Sequence, residues 1–524
     1  MRFFNTAGPV RPDIHYCIPP LERWDLEAVL SLIKQQKYFV LHAPRQTGKT
    51  SCLLALVEYL NHQGELRTLY ANVEAAQAAR EDLVMGIRTI VESIAYGALS
   101  DLQDVEAEPL AGNIIASIGP ATALTRFLAA WCTSSSKRTM LTLDEVDALV
   151  GDTLISLLRQ LRSGYPNRPK SFPQSVILCG VRDVRDYRIH SSSEKSIITG
   201  GSAFNIRAES LRLGDFSREE MERLYAQHTE ETGQLFQPEA LDIAWDLSCG
   251  QPWVVNALAY ETCFRMKEGR DRSLPITGSM IERAGENLIL RRETHLDQLA
   301  DKLKEPRVQR VIEPLLAGED LGDQPGQDDI EYVIDLGLIR RGPSGLEISN
   351  GLYREVIPRQ LTFMTQITLE SVVPTAWYIR SDGSLDMEKL LGGFQQFFRE
   401  NSEHWSKRFE YQEAWPQLLL QAYLQRGVNG RRQVHREYGL GRGRTDLLVV
   451  WKEQRFILEL KVIRQSLEQT LAQGLEQIAS YMDRQQMSEG HLILFDRTAR
   501  KAWDEKVFRR EEKIGGKRVT IWGM

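Results

Sequence analysis

The stretch GRGRTDLLVVWKEQRFILELKV, residues 441–462, sets Asp446, Glu459 and Lys461 among some of the most apolar residues of the chain. Leu447, Leu448, Val449, Val450 and Trp451 form one strand-like run, and Phe456, Ile457, Leu458 and Leu460 form a second. The polar Lys452, Glu453, Gln454 and Arg455 between them read as the turn of a hairpin. Alternation along the second run puts Glu459 and Lys461 on one face, because side chains two apart in a strand point the same way. Charges are rarely left on buried strands unless they are paired or bind a metal, so something on this face must compensate them.

A second set lies nearer the other end. APRQTGKTS, residues 43–51, follows the apolar YFVLHA and precedes the helical CLLALVEYL. Strand, glycine-containing loop and helix in that order make a phosphate cradle of backbone N–H groups and a helix N-terminus. Lys49 then reaches the β and γ oxygens of ATP, and the Thr50 hydroxyl binds Mg²⁺. Ala43 takes the place of the usual first glycine; Gly48 and Ser51 complete the loop. TMLTLDEVDAL supplies the other half in the manner of a Walker B motif: Asp144 to hold Mg²⁺, and Glu145 to orient the attacking water as general base. The next strand ends LCGVRD, which puts Arg182 at the sheet's edge, either as a sensor of the γ-phosphate or as an ordinary surface arginine.

These residues need elements to hold them. From 38 to 215, short apolar strands at 38–43, 67–72, 139–143 and 175–180 alternate with amphipathic helices, the pattern of a parallel α/β sheet. From 216 to about 300 the pattern is helical, opening at Ser217 with Glu219 and Glu220 in the first turn. Residues 305–362 combine short helices with the turn-rich IDLGLIRRGPSGLEISN, the shape of a helix ending in a two-stranded wing. Residues 363–400 connect this part to the last one.

A chain of 524 residues is too long for one core, and about three or four domains are expected. Hydrophobic residues at 42% and charged ones at 26% describe an ordinary soluble globular protein. No apolar run approaches the ~20 residues that cross a bilayer, and the prolines near the N-terminus interrupt any signal-like segment. No membrane partner is expected. The six cysteines are scattered, with no CxxC, which fits a reducing cytoplasm. The nine histidines show no metal-ligand spacing. Net charge is −6, but residues 401–524 hold 22 Lys and Arg against 16 Asp and Glu, a local excess of +6 that suits a polyanionic partner.

LSCGQPWVVNALA, residues 247–259, adds a Gly-x-Pro at 250–252. With the two nucleotide motifs, the chain over roughly residues 15–362 resembles the STAND branch of the AAA+ ATPases. The resemblance implies that Pro252, in a helical lid, packs on the bound nucleotide, that a winged helix follows, and that ATP and ADP states differ in how lid and winged helix dock. No convincing arginine finger is present, which leaves open whether a neighbouring subunit of a homo-oligomer completes the site.

Residues 400–524 resemble the PD-(D/E)XK nuclease superfamily: Asp446, then Glu459-Leu460-Lys461. A helix containing Glu413 precedes the hairpin, and the loop between holds Glu437, Arg436, Arg442 and Arg444. A helix with Gln477 and Tyr481 one turn apart follows, before HLILFD closes the order helix–strands–helix–strand. The resemblance implies Glu413, Asp446, Glu459, Lys461 and Gln477 as catalytic residues. Asp446 and Glu459 would share Mg²⁺ or Mn²⁺, and Lys461 would position the attacking water and counter charge in the transition state. The whole layout resembles prokaryotic AAA-like ATPases with a nuclease-like C-terminus.

The expected fold is α/β and multidomain: a P-loop ATPase core at 1–215, a helical lid at 216–304, a winged helix at 305–362, a connector at 363–400 and a restriction-endonuclease-like α/β core at 401–524. The expected function is an ATP-regulated, metal-dependent DNA endonuclease of a prokaryotic cytoplasm, in defence against phage or mobile DNA, with a protein trigger and RNA as a substrate both left open. The alternatives are a signalling or scaffold ATPase whose last domain binds nucleic acid or protein without cutting, and an ATPase assisting transposition or repair.

Overall fold

The computed structural model describes residues 1–183, 188–191, 196–199, 207–291, 294–317, 325–342, 345–370, 377–406, 414–428, 434–435, 447–463, 466–498 and 501–524. They form two compact units: Met1–Arg291 with Ile334–Gly337, and Arg292–Val333 with Leu338–Met524.

In the first unit, β1 (Phe3–Phe4) and β2 (His15–Tyr16) pair in parallel near the N-terminus. The elements α1 (Leu26–Lys34), β3 (Tyr38–His42), α2 (Lys49–Gln63) and β4 (Leu66–Asn72) follow. Three helices, α3 (Leu83–Leu102), α4 (Ala107–Ser117) and α5 (Pro120–Thr133), then lead to β5 (Arg138–Asp144). After it come α6 (Gly151–Gly164), β6 (Ser175–Gly180), a hairpin of β7 (Arg188–Ser191) and β8 (Ser196–Thr199), and β9 (Arg207–Arg212). The main sheet runs β4-β5-β6-β3-β9 and is parallel throughout, with β9 the one strand that the sequence pattern did not disclose.

The central strands β3, β5 and β6 read as largely apolar runs because both faces are covered. Phe39 and Leu41 meet Leu53 and Leu56 of α2 on one face. Tyr38 and Val40 share the other core with Ile90 of α3, Phe127 of α5 and Leu158 of α6. Because β6 lies between β3 and β5, the phosphate loop and Asp144 leave the sheet two strand spacings apart, about 10 Å.

One expectation needs correcting. Helix α3 is by length and composition apolar enough to cross a membrane, although no such run was read from the sequence. Its apolar residues Ile87, Ile90, Val91 and Ile94 are fully buried in the core. Gly97 brings it so close to the Tyr70 carbonyl that a Cβ there would clash. These contacts account for its hydropathy.

Helices α7 (Arg218–Thr232), α8 (Pro238–Ser248), α9 (Pro252–Tyr260) and α10 (Gly278–Leu290) complete the first unit. A capping box starts α7: the Ser217 hydroxyl accepts from the Glu220 N–H while Glu220 accepts from the Ser217 N–H.

The second unit begins with α11 (Thr294–Lys302), α12 (Pro306–Ala317) and α13 (Gln327–Asp335), whose last residues group with the first unit. An antiparallel hairpin of β10 (Ile339–Gly342) and β11 (Gly345–Ile348) leads into α14 (Gly351–Glu370). Helices α15 (Met387–Ser406) and α16 (Trp415–Val428) precede a mixed sheet of β12 (Val434–His435), β13 (Leu447–Trp451), β14 (Gln454–Ile463), β15 (Glu489–Asp496), β16 (Phe508–Ile514) and β17 (Lys517–Gly523). Its order is β12-β13-β14-β15-β17-β16, with β14, β15 and β17 parallel and the other pairs antiparallel. Helix α17 (Leu467–Arg484) crosses from β14 to β15, and a short α18 (Trp503–Lys506) precedes β16.

The β13–β14 turn is tighter than expected. Gln454 and Arg455 already pair with Trp451 and Val450, leaving Lys452 and Glu453 to reverse the chain, Lys452 at φ +56°. The hairpin β16–β17 also extends the sheet beyond HLILFD, where the expected core stopped.

Candidate functional site

Between β3 and α2 the chain turns through Gln46 at φ +59° and Gly48 at φ +97°. Gly48 is required here: φ is positive, and a Cβ would sit 3.3 Å from the Arg23 guanidinium. Arg23 donates to the Thr47 carbonyl at 3.1 Å and to the Gly214 carbonyl, and lies over the Phe216 ring. The Thr47 hydroxyl donates to the Pro44 carbonyl at 2.8 Å. Lys49 is buried, its Nζ donating to the carbonyls of Ala43 at 2.9 Å and Pro44 at 3.0 Å. The Ser51 hydroxyl, expected among the cofactor-binding groups, accepts from the Val10 N–H at 3.0 Å.

At the end of β5, Asp144 is fully buried. Its Oδ2 accepts from the Thr50 hydroxyl at 2.6 Å and the Tyr70 hydroxyl at 3.0 Å, and its Oδ1 accepts from the Glu145 N–H at 2.9 Å. The structure thus brings Lys49, Thr50, Asp144 and Glu145 to one edge of the sheet. Thr50 and Asp144 offer oxygen donors of the kind Mg²⁺ takes, and phosphate oxygens and water would complete its shell. Glu145 stands in the left-handed region at φ +57°. Burial, then the charges of Asp147 and Asp144, raises its pKa above the usual 4.5, the direction that improves a carboxylate as a base. Asp147 accepts from the Val181 N–H at 3.1 Å and so ties this loop to the end of β6.

Arg182 stands at that end of β6, nearly buried, with Nε 3.6 Å from Asp335 Oδ2. His42 Nδ1 lies 3.8 Å from the other Asp335 oxygen. Gly337, at φ +76°, fits against Pro44 of the phosphate loop, where a Cβ would meet the ring at 2.8 Å. Arg182 is therefore not an ordinary surface arginine, and Asp335 is its partner.

Sequence reasoning missed the N-terminal segment. A cavity of about 120 Å³ opens beside the phosphate loop, lined by Thr6, Gly8 and Ile18 on one side and by Gly48, Pro252 and Trp253 on the other. The Trp253 indole donates to the Thr6 carbonyl at 3.1 Å. Pro252 opens α9, and Gly250 before it, at φ +82°, accepts from the Phe216 N–H at 2.8 Å. Thr6 and Trp253 are 247 positions apart, so no local pattern links them.

In the second unit Glu459 is fully buried on β14. Lys461 Nζ lies 2.8 Å from its Oε1, yet neither carboxylate oxygen receives a well-directed hydrogen bond among the described residues. Burial raises the Glu459 pKa, and Lys461 opposes that shift. Helix α17 packs on β14 and β15, and its half-buried Gln477 has an Oε1 without a partner among the described residues. Asp446, Glu413, Glu437, Arg436, Arg442 and Arg444 lie outside the described residues. Among the described residues no three His, Cys, Asp or Glu side chains converge as a metal site.

No family model matches the sequence, and no curated protein matches it. Among solved structures, the Walker-type ATPase PABY2304 of Pyrococcus abyssi is similar over 68% of this chain and 99% of its own, at 14% identity and TM-score 0.47. Cdc6p from Pyrobaculum aerophilum is similar over 73% and 93%, at 13% identity and TM-score 0.35. The Thermotoga maritima RuvB Holliday junction branch migration motor is similar over 63% and 92%, at 11% identity and TM-score 0.32. None superposes closely enough to transfer a property. On its own geometry, a parallel sheet with a glycine-bearing loop between β3 and α2 facing Asp144, the first unit has a P-loop NTPase-like α/β fold.

Proposed function

We propose that the first unit hydrolyses ATP and that its nucleotide state regulates a metal-dependent DNA endonuclease in the second. The observation that carries the first half is the convergence of Lys49, Thr50, Asp144 and Glu145 around one hydrogen-bonded carboxylate. Thr50 and Asp144 would hold Mg²⁺, which would supply positive charge to offset that of the phosphates. Lys49 exchanges its loop carbonyls for phosphate, and Glu145 takes the proton of the attacking water. The second half is supported by Glu459, a buried carboxylate whose oxygens have no directed partner among the described residues, beside Lys461. With Asp446 it would hold Mg²⁺ or Mn²⁺, which supplies a water nucleophilic at neutral pH. The resemblances to STAND ATPases and PD-(D/E)XK nucleases favour prokaryotic defence against phage or mobile DNA as the setting.

The test is incubation of the full chain with plasmid DNA, single-stranded DNA and RNA, with and without Mg²⁺, Mn²⁺ and ATP, beside Lys49→Ala and Glu459→Ala. Lys49→Ala should lose ATP hydrolysis, and Glu459→Ala should lose cleavage alone. Hydrolysis unchanged by Lys49→Ala removes the nucleotide half. Cleavage unchanged by Glu459→Ala removes the nuclease half. Nucleic acid bound but never cut by the wild type favours the scaffold reading.

A further inference from the structure

Tyr70 belongs to β4, the strand beyond β5, and no motif marks it. Its ring packs into the core formed by α1, α2 and the sheet, while its hydroxyl reaches Asp144 Oδ2 at 3.0 Å. In-phase alternation explains the reach: Tyr70 pairs with Thr142, and Asp144 lies two residues further along the same face of β5.

A carboxylate has two oxygens and about four lone-pair directions. On Asp144 the Thr50 and Tyr70 hydroxyls take both directions of Oδ2, and the Glu145 N–H takes one of Oδ1. Oδ1 thus takes one directed donor against two on Oδ2, and the buried Cys179 thiol also reaches this carboxylate. The Thr50 hydroxyl, having spent its hydrogen on Asp144, keeps its lone pairs. Rotation about the last torsion of an aspartate is soft, so two donors on one oxygen and one on the other are what fix the plane. Two of these three donors come with the motifs themselves. The third, Tyr70, comes from a neighbouring strand.

We infer that Tyr70 is a positioning residue for Mg²⁺ at the nucleotide site, fixing the plane of the Asp144 carboxylate. This rests on the reading of the first unit as an ATP·Mg²⁺ site. Groups that orient a metal ligand typically govern metal affinity about 10–100-fold.

Tyr70→Phe keeps the ring and removes only the hydroxyl. In the full-length protein, a fluorescent ATP analogue is titrated in EDTA and again across a Mg²⁺ series, and Mn²⁺ binding to the ATP-loaded protein is followed by electron paramagnetic resonance. The variant should bind nucleotide in EDTA as the wild type does, yet need about tenfold more Mg²⁺ or Mn²⁺ for half-saturation. Equal metal dependence in the two proteins overturns the role of Tyr70 and leaves the ATP site standing. Weaker binding in EDTA by the same factor as in Mg²⁺ makes Tyr70 a packing residue and overturns it as well. If the wild type binds no nucleotide, with or without metal, both readings fall together.

Discussion

The two candidate sites treat a buried carboxylate in opposite ways. Asp144 in the first unit is fully buried and accepts three hydrogen bonds; Glu459 in the second is fully buried and, among the described residues, faces one ammonium without a directed hydrogen bond. The first arrangement is organised before any ligand arrives, because the donors that fix Asp144 belong to the protein. Among the described residues the second leaves a carboxyl in a low-dielectric place without directed donors, where its ionised form costs free energy until a cation or proton takes it up. Organisation in one case and tension in the other are two ways to keep a carboxylate ready.

The contrast can be broken most sharply at Glu459. Glu459→Ala should reduce metal-dependent DNA cleavage to background while ATP hydrolysis stays within about twofold, since a substitution at one of two independent sites leaves the other unchanged; parallel loss of both activities would show that the sites are not independent. Next in size is Glu145→Gln, which should lower kcat by about 10²–10⁴-fold and keep ATP bound. Because the Glu145 pKa is raised, wild-type kcat should climb with pH through a value above 4.5, and the variant should lack that acidic limb. A pH profile of identical shape in both proteins would remove Glu145 as the base.

A smaller effect tests the tension itself. A carboxylic acid whose folded pKa is raised subtracts stability above that pKa and ceases to do so below its ordinary value. Metal-free Glu459→Gln should therefore melt above the wild type at pH 8, by about 2–4 °C if the penalty is near 1 kcal/mol. The gap should close as pH falls towards 4.5. No gap at any pH would mean that Lys461 already neutralises the penalty, and a constant gap would mean that titration of Glu459 is not its cause. Smallest of all, Trp253→Phe removes the indole N–H from the Thr6 carbonyl and should weaken ATP binding about fivefold, the worth of one hydrogen bond; unchanged affinity in a binding titration would separate the N-terminal segment from the nucleotide.

What could be read in advance follows sequence distance. Lys49 and Thr50 sit in one contiguous loop, and Asp144 and Glu145 end one apolar strand, so periodicity and a short motif suffice to find them. The four strands that carry or flank them were legible for the same reason, each being an apolar run that must be covered on both faces. Tyr70 was not, because its role depends on the register of β4 against β5. Nor was the Thr6–Trp253 contact, nor the approach of Asp335 to Arg182, each a pairing across a long stretch of chain. Strand β9 hides because RAESLR looks polar for a buried sheet: it pairs with β3 at the edge, where only one neighbour is needed. Glu459 and Lys461 stand together as their spacing requires, while Asp446 and Glu413 lie outside the described residues.

The ammonium of Lys49, stowed on the carbonyls of Ala43 and Pro44, bears on which anions can enter the loop. An empty loop with a bare cation would collect inorganic phosphate, sulfate and the backbones of nucleic acids, all abundant in any cell. With two neutral carbonyl oxygens of the loop at 2.9 and 3.0 Å, a ligand would have to offer the amine more than they do. A single weakly held anion gains little by that exchange. A polyphosphate that offers several charged oxygens at once, with its other end lodged elsewhere, gains enough to draw the amine out. A loop whose strongest charge already has carbonyl partners would favour ligands that offer several contacts at once.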